Sequence, residues 1–254
     1  MDLFWEVALV LFGYFFLFFI VGQLLENNSI VDIGWGLGFV VATIYMITRI
    51  EIEIYSLIVL AIIILWGLRL TYHIFRRNYG KPEDFRYQNF RKRWGKRFPR
   101  LKAFFHVYML QMLFMYALLI PVILFMSSSR KYSPFIIVGI VIWLLGYFFE
   151  VVGDAQLKKY LNNRTEKGIM NTGLWKVTRH PNYFGEVTMW WGIFIITISV
   201  QYGYIGIVSP ILITYLLLKV SGVPMLEKKY KDDPEYQKYM EVTPRFVPWI
   251  GKKG

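Results

Sequence analysis

Residues 172–186 read TGLWKVTRHPNYFGE, a short polar stretch that ends where a run of apolar residues begins. Arg179, His180, Asn182, Tyr183 and Glu186 bring opposite charges, an imidazole, an amide and a phenol close together in the chain. Pro181 fixes the backbone where a helix can start, because a first-turn residue needs no N–H of its own. A helix opening there leaves its first N–H groups unpaired and its positive dipole end beside Arg179 and His180, which suits an anionic cofactor. A basic loop capped by a helix start is the plainer reading of the same residues. What lies on either side decides the kind of fold that presents them.

Working outward, the chain is 56% hydrophobic and 19% aromatic, and its apolar runs are too long for the core helices of a soluble domain. The expected architecture is an all-α membrane protein, a bundle of about seven transmembrane helices with a cytoplasmic cofactor pocket and a C-terminal amphipathic helix. The spans fall near residues 3–24, 31–48, 55–75, 103–126, 134–153, 185–200 and 203–222, followed by a tail over 223–254, all within one integral membrane domain, 1–254. The connections 76–102 and 154–185 and the tail after Val223 are rich in lysine and arginine, and alternating sides along the chain puts all three on one face. By the positive-inside tendency that face is cytoplasmic and the N-terminus is outside, with Arg49, Arg130 and Lys131 in the outer loops. The first apolar run follows Asp2 and Glu6 rather than lysines and lacks a small-residue cleavage site, so it reads as a retained span and not a signal peptide.

The net charge of +12 could suggest nucleic acid, but the cations sit beside apolar runs, where anionic lipid headgroups account for them. Nucleic acid is therefore not an expected partner. With no cysteine there is no disulfide, thiolate nucleophile or cysteine metal site, and redox chemistry needs a borrowed cofactor. His73, His106 and His180 lie on different segments in no ligand spacing, so no metal site is expected.

Other polar residues are placed where chemistry could use them. Asp32 lies about one turn into the second span, where a carboxylate is costly unless it meets a partner or a wet cavity. It reads either as a catalytic or substrate-binding acid or as a structural hydrogen-bond anchor. Gly34 and Gly38 in the same span allow close helix packing. Arg69, Tyr72, His73 and Arg76 share one face of the third span. The loop after it interleaves aromatics with cations, as an amphipathic helix along the headgroups would, and also offers Glu83, Asp84, Arg86 and Tyr87 to a site. Glu150, Asp154 and Lys158 are successive i, i+4 neighbours; the two carboxylates require hydrogen-bonding or cationic partners, for which Arg179, the substrate or a cofactor are candidates. Lys159, Arg164 and Lys167 extend the cationic run. The tail suggests one interfacial helix from about Met225 to Met240, broken or restarted at Pro234, which serves as a membrane anchor or as a lid with Glu227 and Tyr230 as polar contacts.

Five pieces of the chain, VDIGWG (31–36), LWGLRL (65–70), EDFRY (83–87), GLWKVTRHPNYFGE (173–186) and SGVPMLEKKYKDDPEYQKYMEVTPRFVPW (221–249), occur in an order that resembles the bacterial membrane proteins with a steroid 5α-reductase-like C-terminal domain. The wider superfamily shares an R-H-P-x-Y-x-G core. It contains NADPH-dependent steroid and sterol reductases and S-adenosylmethionine-dependent isoprenylcysteine carboxyl methyltransferases. The resemblance implies that Asn182 and Glu186 hold a nicotinamide, that Asp154 binds adenosine, and that Lys158 and Arg179 lie near phosphate. It also implies that Tyr230 and Glu227 close the site. In steroid reductases a second-span glutamate and a third-span tyrosine polarise the substrate ketone; here the acid is Asp32, and the tyrosine's place falls near Trp66, with Tyr72 about a turn and a half beyond.

The expected function is thus an NADPH-dependent reductase of an unsaturated, enone- or alkene-containing membrane lipid, with the bilayer and a lipophilic substrate as partners. Asp32 and Tyr72 are the expected catalytic groups; Glu150, Asp154, Lys158, Arg179, His180, Asn182, Tyr183, Glu186, Glu227 and Tyr230 are the expected cofactor set. The alternatives are a methyltransferase of the isoprenylcysteine or phospholipid type, with S-adenosylmethionine in the same pocket, and a non-catalytic membrane protein.

Overall fold

A computed structural model describes residues 2–163 and 168–249; Arg164 and Lys167 of the cationic run lie outside the described residues. All regular structure among the described residues is helical. Hydrocarbon offers the backbone no hydrogen-bond partner, so an apolar run must satisfy its own N–H and C=O groups, and a helix does this within one segment. Among the described residues, six helices are long and apolar enough to cross a bilayer: Leu3–Leu24, Ile30–Ile47, Ile54–Asn78, Pro99–Ser127, Pro134–Asn163 and Gly203–Lys228. The sixth expected span, 185–200, corresponds to α8 (Pro181–Thr197), which has 17 residues and stands at the short end of spanning length. These helices make the chain an integral, multi-pass membrane protein. Backbone contacts divide it into two compact units, Met1–Lys131 and Tyr132–Gly254.

In the first unit α1 (Asp2–Leu24) buries Val7, Leu11 and Phe15 at four-residue spacing and turns Leu9, Phe12, Phe16 and Ile20 outward, an apolar exterior that meets lipid. Its Tyr14 hydroxyl donates to Gly34 O of α2 (Ile30–Ile47) at 2.7 Å. α2 meets α3 (Ile54–Asn78) backbone to backbone: a Cβ on Gly67 would lie 2.7 Å from Gly36 O. The short helix α4 (Phe85–Trp94) is the expected amphipathic segment of the basic loop; Asp84 caps it by accepting from Arg86 N at 3.0 Å, and Gly95 ends it at φ +63°. The last span of the unit starts as α5 (Pro99–Ala103), passes through a π-helical turn at Phe104–Met109 and continues as α6 (Leu110–Ser127).

The second unit is built on α7 (Pro134–Asn163) and α8. α7 has 30 residues, a rise of about 45 Å. The hydrocarbon core is only about 30 Å thick. Its apolar part ends near residue 153, as expected, but the helix runs on and carries Asp154 and Lys158 with it. Glycines seven apart on α7 face glycines seven apart on α8. A Cβ on Gly139 would lie 2.5 Å from Gly192 O, and one on Gly146 would lie 2.6 Å from both Gly185 O and Met189 N. A Cβ on Gly153 would lie 3.2 Å from Asn182 N. The two helices are antiparallel and touch along their backbones over this whole length. A further span follows as a 3₁₀ turn (Gly203–Ile207), α9 (Val208–Tyr215) and a π-helical turn (Leu216–Val220). After a break at Ser221 and Gly222 come α10 (Val223–Lys229) and α11 (Pro234–Val242). The tail helix starts afresh at Pro234, one of the two forms expected of it, because Asp233 accepts from the N–H groups of Glu235 and Tyr236.

Candidate functional site

In the first unit the polar chemistry gathers at the N-terminal end of α2. Asp32 accepts from Arg86 Nη2 at 2.5 Å and from the Tyr87 hydroxyl at 2.6 Å. Arg86 Nε also donates to Asp84 at 2.8 Å, and Gln111 Nε2 donates to the Tyr87 oxygen at 3.2 Å. Glu83 accepts from Asn28 N at 2.7 Å and pairs with Arg91 Nε at 2.9 Å. The segment 83–87 is thus anchored to the start of α2 at several points. Tyr87 is 4% exposed, and burial first, then the neighbouring Asp32 carboxylate, hold its phenol well above the ordinary tyrosine range. The result is a carboxylate and a protonated phenol in direct contact inside an apolar bundle.

In the second unit the stretch 172–186 folds as a 3₁₀ turn (Gly173–Lys176) leading to Pro181, the first residue of α8, with His180 at the N-cap. Several bonds pin the turn. Trp175 Nε1 donates to Gly153 O at 3.0 Å, Leu174 N donates to Gln156 Oε1 at 2.9 Å, and the Tyr239 hydroxyl donates to Trp175 O. The end of the tail runs alongside: Arg179 N donates to Pro244 O at 3.0 Å, Thr178 Oγ1 to Phe246 O at 2.7 Å and Trp249 N to Val177 O at 3.2 Å. Against this backing, Glu227 of α10 meets three cationic or imidazole groups. Arg179 Nη1 is 3.0 Å and His180 Nε2 3.5 Å from its Oε1, and Arg245 Nη2 is 3.0 Å from its Oε2. The Arg179 contact is an ion pair by distance without hydrogen-bond alignment, since Arg179 Nε and Nη1, both His180 ring nitrogens and Glu227 Oε1 are buried with no hydrogen-bond partner. Burial lowers the His180 pKa despite Glu227 beside it, so the ring is neutral near pH 7. Tyr236, beside the cluster, is pushed up to about 12, by burial first and then by Glu227.

Residues 18–243 match the family described as Protein of unknown function (DUF1295). The chain belongs to this family. An uncharacterised protein of Schizosaccharomyces pombe is 24% identical in an alignment 218 residues long that covers 72% of this chain and 60% of that protein. The DUF1295 chain therefore spans about three fifths of its yeast relative's length. No solved structure matches.

The DUF1295 fold brings together part of the expected cofactor set. Arg179, His180 and Glu227 form one cluster, Asn182 Nδ2 donates to Asp154 Oδ1 at 3.0 Å, and the His180 and Tyr183 rings stack at 5.8 Å. Glu150 is 3% exposed, Glu186 is half-buried on α8, and Lys158 is exposed. Tyr230 stacks on Tyr236 at 5.4 Å. The partner expected for the acidic stripe is met in a different way, with Asp154 bonded to Asn182 while Arg179 pairs with Glu227. Tyr72, the expected phenol, is 64% exposed on α3, and the hydroxyl that reaches Asp32 belongs to Tyr87. Arg245, Tyr236 and Gln156 were not singled out by sequence. The arginine in TPRF, next to a proline that stops a helix, was the one available signal.

Proposed function

We propose that this DUF1295 protein is an NADPH-dependent reductase of an unsaturated, membrane-dissolved lipid whose double bond is conjugated to a carbonyl. One observation carries the reading: the buried Tyr87 hydroxyl 2.6 Å from the half-buried Asp32 at the N-terminal end of α2. The pair replaces Asp32 and Tyr72 as the proposed carbonyl-polarising groups; Asp32 stands where the resemblance to steroid 5α-reductases implies the acid, whereas Tyr87 comes from the loop after the third span and not from that span. A phenol kept protonated by burial has one proton, which Asp32 accepts here; turned instead to a carbonyl oxygen, it would stabilise the negative charge that grows there during reduction. Gln111, donating to the phenol oxygen, leaves the hydroxyl proton directed away from itself.

The residues of the second unit suit an anionic cofactor. Arg179 is 8% exposed, and its Nε and Nη1 have no aligned acceptor, which fits a phosphate group. Asn182 and Glu186 are assigned to the nicotinamide carboxamide, Asp154 to the adenosine, and Lys158 and Arg179 to phosphate. NADPH, when bound, supplies the hydride. By the positive-inside tendency the cofactor enters from the cytoplasm, while the lipid enters sideways from the bilayer.

The test is a thermal-stability titration of the purified protein with NADPH, NADH and S-adenosylmethionine, since a ligand that binds only the native state raises the unfolding temperature. NADPH is expected to stabilise, and Asn182→Ala and Glu186→Ala are expected to abolish that shift while leaving the apo protein folded. Stabilisation by S-adenosylmethionine alone would replace the reductase with the methyltransferase, whose cofactor carboxylate suits Arg179 equally well. A response to none of the three would favour a non-catalytic protein.

A further inference from the structure

Glu227 is held in an unusual way for a structural salt bridge. Two guanidiniums and an imidazole converge on its single carboxylate, and the most buried of them are poorly satisfied by it. Arg179 and His180 are 8% and 2% exposed, yet Arg179 Nε, Arg179 Nη1 and the single N–H of the neutral His180 ring have no aligned acceptor, and Glu227 Oε1 has no aligned donor. Buried donors left unpaired are costly, and a planar carboxylate reaching in from one side cannot meet donors arranged around it. A tetrahedral anion has more oxygens and points them in more directions. The first turn of α8 adds its positive end at the same place, immediately after His180.

The position of Glu227 in the chain matters as much as its charge. It sits on α10, a helix of only 7 residues, with the break at Ser221 and Gly222 before it and the turn leading to Asp233 after it. The backing of the cluster does not depend on α10: Arg179, Thr178 and Val177 are bonded to Pro244, Phe246 and Trp249, and Trp175 is bonded to Tyr239. Glu227 can therefore leave without dismantling the walls that hold Arg179 and Arg245.

We infer that Glu227 is a place-holder in an anion site, and that a phosphate-class ligand takes the site by displacing this carboxylate and lifting α10. The inference rests on the reading of 172–186 as a cofactor site and adds how that site is closed when empty. The same chemistry would accept a phosphate of a soluble nucleotide or of an acidic lipid headgroup.

The experiment uses the full chain in phosphatidylcholine nanodiscs, with inorganic pyrophosphate as the probe and hydrogen–deuterium exchange as the readout. Saturating pyrophosphate is expected to speed exchange in residues 223–229 while leaving 177–179 protected. Glu227→Gln is expected to bind pyrophosphate about tenfold tighter, because the competing charge is gone; Arg179→Gln is expected to lose binding. Unchanged exchange in the wild type, or equal or weaker binding by Glu227→Gln, overturns the proposal, and the wild-type measurement stands even where a variant fails to fold. Adding phosphatidylglycerol separates the sources: faster exchange without pyrophosphate identifies a lipid phosphate, and a pyrophosphate requirement identifies a soluble one. A response to pyrophosphate with none to NADPH leaves the place-holder standing and removes the reductase. NADPH stabilisation with α10 unmoved does the reverse.

Discussion

At the scale of single residues, Asp32 shows why a polar group in an apolar span has to be explained by its partners. Its position alone says that a carboxylate there needs compensation. The compensation comes from Arg86 and Tyr87, far along the chain, and no periodicity links the two places. EDFRY (83–87) and Asp32 are joined only by the fold of the loop. Tyr87→Phe is expected to cost about 1.5–3 kcal/mol, the usual worth of a hydrogen bond to a charged group. Asp32→Asn is expected to be destabilising as well, and the double variant to cost less than the sum because the two share one bond. Unfolding midpoints in mild detergent measure all three; wild-type stability in Asp32→Asn would mean that the acid serves chemistry alone.

His180 allows a second prediction at this scale. Burial lowers its pKa in the folded protein, so the unfolded chain takes up a proton from about pH 6.5 downward while the folded one resists. Stability that is full above about pH 6.5 is therefore lost as the pH falls through the lowered folded value. His180→Gln is expected to flatten the slope of the unfolding midpoint over that interval, and an unchanged slope would show that other groups carry it.

At the scale of elements, the positions of the spans were legible because each apolar run must be a helix. The packing of α7 on α8 was legible too, in the seven-residue spacing of Gly139, Gly146 and Gly153 and of Gly185 and Gly192, whereas the close packing expected from sequence rested on Gly34 and Gly38 of α2, four residues apart. The tail was harder to read. Its amphipathic period is real, yet Asp233 restarts the helix at Pro234, and the return of 244–249 along 177–179 depends on backbone bonds that leave no pattern in sequence. Gly146→Ala is expected to destabilise by about 1–3 kcal/mol, because its Cβ would meet two backbone atoms that have nowhere to move. Gly13→Ala is the control: a Cβ there meets nothing within 4 Å, and the change should be neutral or stabilise by about 0.5–1 kcal/mol. Unfolding midpoints that rank the two the other way would remove the close packing of α7 and α8.

At the scale of the whole molecule, charge and parity make one argument. The basic connections fall on a common side only if every apolar run crosses, including the short α8. If α8 only entered the bilayer and returned, the tail after Val223 would lie on the opposite side from the loop carrying α4. The absence of cysteine makes this testable with single cysteines, because every thiol that labels is an introduced one. Lys92, Lys131 and Lys238 are all exposed and so accept the substitution without loss of packing. In cells treated with an impermeant maleimide, Lys131→Cys is expected to label from outside, whereas Lys92→Cys and Lys238→Cys label only after the membrane is opened. Labelling of Lys238→Cys from outside, with Lys92→Cys still protected, would mean that α8 does not cross. Arg179, which precedes α8, would then stay on the cytoplasmic side while Glu227 and Pro244 lay on the other, so the contacts that build the cluster could not form and the reductase reading would fail with them.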